Sequence, residues 1–191
     1  MRDSQKQLIL ESLTAFFNRN PAYKRQLYEI ITGISPVSLR LIDHFVTHYS
    51  KTANVLYWIN DARGEIQETP MAKELSHLRK FHLYLEYRAQ LKSYTKLDFD
   101  PFRRHKRITF VLETTPELVT VETTVGQLNF FRWALQNLII TFVKAHLVDI
   151  ETSMSHDVPR PRMKHDSSQL PCIQGNQPTH RINAHCHIRF D

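Results

Sequence analysis

Apolar residues recur at helical spacing from the start of the chain. Leu8, Ile9, Leu13, Phe16 and Phe17 fall on one side of a helix over 4–19. Pro21 separates it from a second helix, about 22–32, with Tyr23, Leu27, Ile30 and Ile31 inward and Gly33 as its stop. Ser35-Pro36 sets an N-cap before a proline whose missing N–H costs nothing in a first turn. A third helix should follow to about Tyr49, burying Leu39, Ile42, Phe45, Val46 and Tyr49. Asn54 to Ile59 is rich in β-branched and aromatic residues and reads as a strand. Asn60 to Gly64 is a turn, 65–70 is loop or edge strand, and 71–80 carries no clear period.

From about Phe81 the helical period returns. Tyr84, Tyr87, Leu91 and Tyr94 form an inward stripe, while Arg88, Lys92 and Lys96 recur every four residues as an outward basic ladder. Pro101 forbids continuation. Arg107–Leu112 alternates, Thr114-Thr115-Pro116 can turn, and Leu118–Val121 can return, which predicts a β-hairpin. Thr124-Val125-Gly126-Gln127 is a capping box, in which the Thr hydroxyl accepts from the N3 amide and the Gln reaches back to the cap. The helix it opens should run to about Glu151, apolar almost all round, as the hydrophobic centre of the fold. A dimer interface would account for that breadth equally well. After Ser155, Pro159, Pro161, Pro171 and Pro178 mark a linker or tail. An alternating run, Arg181–Phe190, could dock as a last strand. The expected fold class is therefore α+β: a helical part over 1–52, a core with a small antiparallel sheet and a long buried helix over 53–155, and a Pro-containing basic tail over 156–191 returning as a terminal strand.

Charge sharpens this picture. The 191 residues carry 25 Lys and Arg against 19 Asp and Glu, a surplus of six. Residues 71–107 alone hold ten Lys and Arg and four Asp and Glu, also a surplus of six, so the rest of the chain is balanced. Its centre is Arg103-Arg104-His105-Lys106-Arg107. Such a patch fits an acidic partner: nucleic acid, an acidic protein or a membrane surface. Lys and Arg neutralise phosphates and release counterions, and interleaved aromatic rings can stack on unpaired bases. Against this, the Tyr spacing suits burial and the cations could be a solvated face. Residues proposed to meet nucleic acid are Arg88, Lys92, Lys96, Arg103, Arg104, Lys106 and Arg107.

Other chemistry is thinner. Gly is scarce, at four residues, which argues against a phosphate-cradling glycine loop. Two Cys make no disulfide framework and suit a reducing compartment. No apolar leader opens the chain, and 128–150 is interrupted by Arg132, Lys144, His146 and Asp149, so no transmembrane segment is expected. Cys172, His180, His185, Cys186 and His187 invite a zinc reading. However, His185 and His187 in a strand point away from Cys186, so no metal and no cofactor is assigned. The helices about 22–32 and 36–49 have a helix-turn-helix outline that would display Arg40, Asp43, His44, Thr47 and His48. Ordinary packing explains it as well. Asp98 and Asp100 are paired acids that turn chemistry accounts for. No nucleophile is set for catalysis, and the enzyme reading ranks third.

Three ordered blocks carry a resemblance. They are Ser38–Lys51 (SLRLIDHFVTHYSK), Tyr84–Tyr94 running into Phe99–Arg104 (YLEYRAQLKSY, FDPFRR), and Thr123–Ala134 (TTVGQLNFFRWA). Together they resemble an uncharacterised protein family of nucleocytoplasmic large DNA viruses. Members often carry Cys directly after Asp-Pro-Phe, where this chain has Arg103. The resemblance implies a viral protein acting in the host-cell cytoplasm, nucleus or viral factory, or packaged in the virion. It brings no activity and no catalytic residues. Two functional expectations follow: a non-enzymatic accessory protein binding nucleic acid through the basic helix and turn, or a virion structural or scaffolding subunit, of minor-capsid type, whose same patch meets an acidic viral protein. A homo-oligomer is compatible with either.

Overall fold

Several helix starts in the described residues are set by side-chain caps, and several helix ends by what the core demands. The computed structural model describes residues 2–113 and 119–156. Helix α1 spans Arg2–Asn18 and α2 spans Pro21–Ile31. Asn20 caps α2 by accepting from the Ala22 amide at 2.9 Å, with Pro21 at the first helical position. Gly33 then takes φ +77°, the left-handed backbone that ends a helix. The third cap is Ser38, not Ser35. Ser38 Oγ accepts from Leu41 N at 3.1 Å, whereas Ser35 Oγ only closes a local turn onto Val37 N. Helix α3 is therefore short, Leu39–His44. It runs through a π-helical turn, Phe45–Tyr49, into a last turn α4, Ser50–Thr52.

Strand β1, Leu56–Asn60, buries Tyr57 and Ile59 and pairs antiparallel on both sides. The edge strand β2 is Glu65–Gln67. The other neighbour, β3 (Arg79–His82), lies in the stretch without a period, because two of its four residues are cations and only Phe81 is buried. Phe81 therefore belongs to this strand, and helix α5 starts later, at Leu83, and ends at Ser93. A second, two-stranded sheet follows. In it β4 (Ile108–Glu113) pairs antiparallel with β5 (Val119–Thr123), as the alternation predicts. The small sheet expected from the sequence is thus two sheets. Phe17 of α1 meets Phe110 of β4 edge-on, and Lys24 of α2 donates to the Leu112 carbonyl at 2.6 Å.

The expected long helix is three. Helix α6 spans Val125–Gln136, α7 Ile139–Ala145 and α8 Leu147–His156. Thr124 caps α6 through Gln127 N, but the Gln127 carboxamide turns aside and accepts from Thr123 Oγ1 at 2.7 Å. The break after α6 centres on Asn137. The hydroxyl of fully buried Tyr57 donates to its carbonyl at 2.7 Å, Arg79 donates to its side-chain oxygen, and its own amide donates back to Trp133 O. Leu138 then adopts φ +55°, strained for a branched residue. Helix α6 is nonetheless the centre of the core. Leu128, Phe130, Phe131, Ala134 and Leu135 are all buried, beside Leu13, Phe17, Leu27, Phe45 and Tyr57. Among the described residues one cluster thus draws on the first helices, the strands and α6 to α8, which gives an α+β class. The Pro-containing tail, its terminal strand and the His/Cys group at 172–187 lie outside the described residues.

Candidate functional site

The basic turn is built on an inward anchor. Phe99 is 1% exposed, stacked on Tyr94 at 5.4 Å and edge-on to Phe130 and Trp133 at 5.6 Å each. To bury this ring the chain must leave the helix. That is why α5 ends at Ser93 rather than at Pro101, and why Tyr94 is extended (φ −99°, ψ 151°). A 3-10 turn, Lys96–Asp98, follows. Thr95 Oγ1 donates to Asp98 Oδ2 at 2.6 Å, and Asn129 of α6 donates to the Asp98 carbonyl at 2.9 Å. Gly126 makes the close approach of α6 possible: a Cβ there would stand 2.7 Å from the Leu97 carbonyl oxygen. Asp100 Oδ1 accepts from Phe102 N at 2.9 Å, the Asx turn that Asp-Pro favours.

Arg103 locks this arrangement from the other side. Its guanidinium donates to the Leu97 carbonyl and to Asp98 Oδ1 at 3.2 Å, and its side chain is only 15% exposed. It is a structural clamp. Arg104 behaves oppositely. It is exposed and makes no ion pair among the described residues, and His105 beside it is exposed too. Lys106 is exposed and takes φ +58°. Arg107 pairs with Glu122 of β5 at 2.7 Å, with both side chains more than half exposed. A pair in that much water contributes little and can exchange for another anion.

The helical part of the expected patch is also divided. Arg88 and Lys92 stand exposed on α5, and Arg88 donates to the Tyr84 hydroxyl at 3.4 Å. Lys96 has left the helix for the 3-10 turn, so the three do not form one ladder. Tyr87 and Tyr94 are half-buried against the core and are not free platforms. Burial, with Asp43 and Asp100 nearby, pushes the Tyr87 hydroxyl up to about 12. Asp43 is likewise raised, by burial first and by Asp100, with His48 opposing. The ring that does face water is Phe102, 46% exposed beside Arg104. The spacing of Phe99 and Phe102 about Asp-Pro is visible in the sequence, but which ring turns in is decided by the pocket of α6.

In the helix-turn-helix outline, only Arg40 and His48 are exposed. His44 is buried against α8, its Nε2 3.4 Å from Ser153 Oγ, and stacks on His48 at 5.6 Å. A recognition surface does not form there. Among the described residues no group of three or more His, Cys, Asp or Glu side chains converges as a metal site, and no helix is long and apolar enough to cross a membrane.

A feature missed by sequence reasoning is a cleft of about 780 Å³ on the Trp133 side of α6. The ends of α1 and α2, the β1–β2 turn, Arg79 and one side of α5 line it. Its residues are scattered from Phe16 to Leu138, and no local spacing announces it.

A curated relative of this chain carries no assigned role. Over 163 residues it is 34% identical to "Uncharacterized protein L507" of Acanthamoeba polyphaga mimivirus, covering 84% of this chain and 58% of that relative. The chain thus spans little more than half of the relative's length. No solved structure matches it. The resemblance read from the three blocks and a family model matching residues 2–183 agree: the chain belongs to a family of unknown function, DUF7197, with a giant-virus relative.

Proposed function

We propose that this is a non-enzymatic viral accessory protein that binds nucleic acid through the turn 102–107, with Arg88 and Lys92 of α5 as further cationic contacts. The observation that carries the reading is the pairing of exposed Phe102 with exposed Arg104 on a backbone pinned by Arg103, Asn129 and the close approach at Gly126. The turn thus offers a ring for stacking on an unpaired base and, two residues on, a cation for a phosphate. Lys106 and Arg107 extend the cationic strip. Arg103 is removed from the interacting set, since its charge already pairs with Asp98. The site of action is the host-cell cytoplasm or nucleus, in the viral factory.

The test is fluorescence anisotropy of labelled single-stranded and duplex DNA and RNA with the full chain, across a salt series. Binding should weaken with salt. Arg104→Ala with Arg107→Ala should reduce the slope of log K against log[salt] by roughly 1.4 on single strands, about 0.7 for each phosphate left without its cation. Phe102→Ala should cost about tenfold on single strands and little on duplex. Absence of salt-sensitive binding to all four probes, or binding indifferent to both variants, would overturn the reading. The scaffolding alternative, with the same turn against an acidic viral protein in the virion, would then take its place.

A further inference from the structure

The cleft beside Trp133 shares no lining residue with the 102–107 turn. Its volume, about 780 Å³, lies within the range of small-molecule sites. Three guanidinium groups and two carboxylates line it: Arg19, Arg79 and Arg132 against Asp61 and Glu86. They are not equivalent. Arg79 already donates to both oxygens of Asp61 at 3.0 Å each and to Asn137 Oδ1 at 3.0 Å. That hydrogen-bonded pairing holds the Asp61 carboxyl below its ordinary range. This part of the wall is neutral and fixed. Arg132 is half-buried and gives one donor to a neutral hydroxyl, Ser12 Oγ at 3.1 Å. Arg19 is exposed and makes no ion pair among the described residues. Arg19 and Arg132, neither in an ion pair among the described residues, therefore line the same cleft as Glu86.

The remaining lining mixes aromatic rings with aliphatic and carboxamide side chains. Phe16 and Tyr23 stack on each other at 5.1 Å, and Tyr94 and Trp133 also line the cleft. Trp133 is 5% exposed, and its indole N–H has no acceptor among the described residues. The lining thus asks for an anionic tail, a planar ring and a hydrogen-bond donor for Glu86.

We propose that this cleft binds a nucleoside phosphate. The phosphate meets Arg19 and Arg132, the base lies against the aromatic rings, and Glu86 accepts from a ribose hydroxyl or an exocyclic amine. The nucleotide can come free in solution or as an unpaired residue of a strand.

The experiment is isothermal titration calorimetry of the full chain with nucleoside monophosphates, with inorganic phosphate, and with a short single-stranded oligonucleotide lacking a terminal phosphate. Saturable binding of at least one monophosphate is expected, at least about tenfold tighter than inorganic phosphate. Arg19→Met and Glu86→Gln, both at exposed positions, should each weaken it severalfold at unchanged melting temperature. Arg104→Ala with Arg107→Ala should leave it unaltered, which separates this site from the turn. Competition by the oligonucleotide assigns the source to a strand, and lack of competition assigns it to the free nucleotide. No saturable binding of any monophosphate overturns the proposal. So does equal affinity for inorganic phosphate, or binding indifferent to both exposed variants.

Discussion

Residues 94–100 and 102–107 are one continuous basic loop in sequence, yet they behave as opposite kinds of surface. The first half is anchored to the core. Phe99 is enclosed by rings, the Asp98 carbonyl is held by Asn129, and the Leu97 carbonyl is held by Arg103. The second half faces outward, with Phe102, Arg104 and His105 exposed. Arg103 and Arg104 are neighbours of identical type, one a clamp and one a displayed charge. A count of cations cannot separate them, because what divides them is where a carbonyl and a carboxylate have been brought by a buried ring.

The contrast between the two halves breaks most readily at the anchor. Phe99→Ala should cost about 3–5 kcal/mol, since a fully buried ring is lost from a packed aromatic cluster. Urea unfolding would read this as a lowered midpoint. Gly126→Ala should cost about 1–3 kcal/mol. The new Cβ meets backbone, the Leu97 carbonyl, which cannot swing away as a side-chain tip could. That clash outweighs the roughly 1 kcal/mol by which Ala ordinarily improves a helix. A stabilised Gly126→Ala protein would show that α6 and the loop do not approach so closely.

These positions also mark how far the sequence could be read. The hairpin, the Thr124 cap and the apolar breadth of α6 were legible because each is local: alternation, a hydroxyl three residues from an amide, a stripe wider than one face. The resemblance to a viral family was legible for the same reason, as ordered blocks. Three things were not local. The end of α5 at Ser93 depends on a pocket that α6 supplies for Phe99. The break at Leu138 depends on Tyr57, 80 residues away, taking the Asn137 carbonyl. The split of Arg103 from Arg104 depends on both the buried ring and the approach of α6. The cap read at Ser35 moved to Ser38, beyond the fully buried Val37, a shift that local spacing does not announce.

A matched pair of smaller changes sharpens the contrast. Arg103→Ala should lose about 1–3 kcal/mol, because it removes a guanidinium shared between a carbonyl and a carboxylate at a largely covered position. Arg104→Ala should stay within about 0.5 kcal/mol. On the proposed nucleic-acid reading the order should reverse after correction for the folded fraction: Arg104→Ala should weaken binding, and Arg103→Lys should do so only as far as the loop loosens. Equal stability losses at the two positions, measured by thermal melting, would erase the distinction between clamp and display.

The smallest effects are two acids with opposite pH signatures. Arg79 holds Asp61 below the usual carboxylate range in the folded state. Its contribution is present above the unfolded value, about 3.9, and is lost as pH falls through the lower folded value. Both partners are substantially exposed, so the contribution stays under about 1 kcal/mol. Asp43 has the opposite sign. Burial raises it, with Asp100 adding to the rise. Its charged form therefore costs stability above the folded value, and that cost disappears as protonation sets in. Asp61→Asn should lower the melting temperature at pH 7 and converge on the parent as pH falls below the lowered folded value. Asp43→Asn should raise it at pH 7, and its advantage should shrink over the same descent. Because Asp100, on the basic loop, is one of the charges Asp43 feels, Asp100→Asn should trim the Asp43→Asn gain when the two are combined. Additive melting shifts in that double variant would mean that α3 and the loop are electrostatically independent.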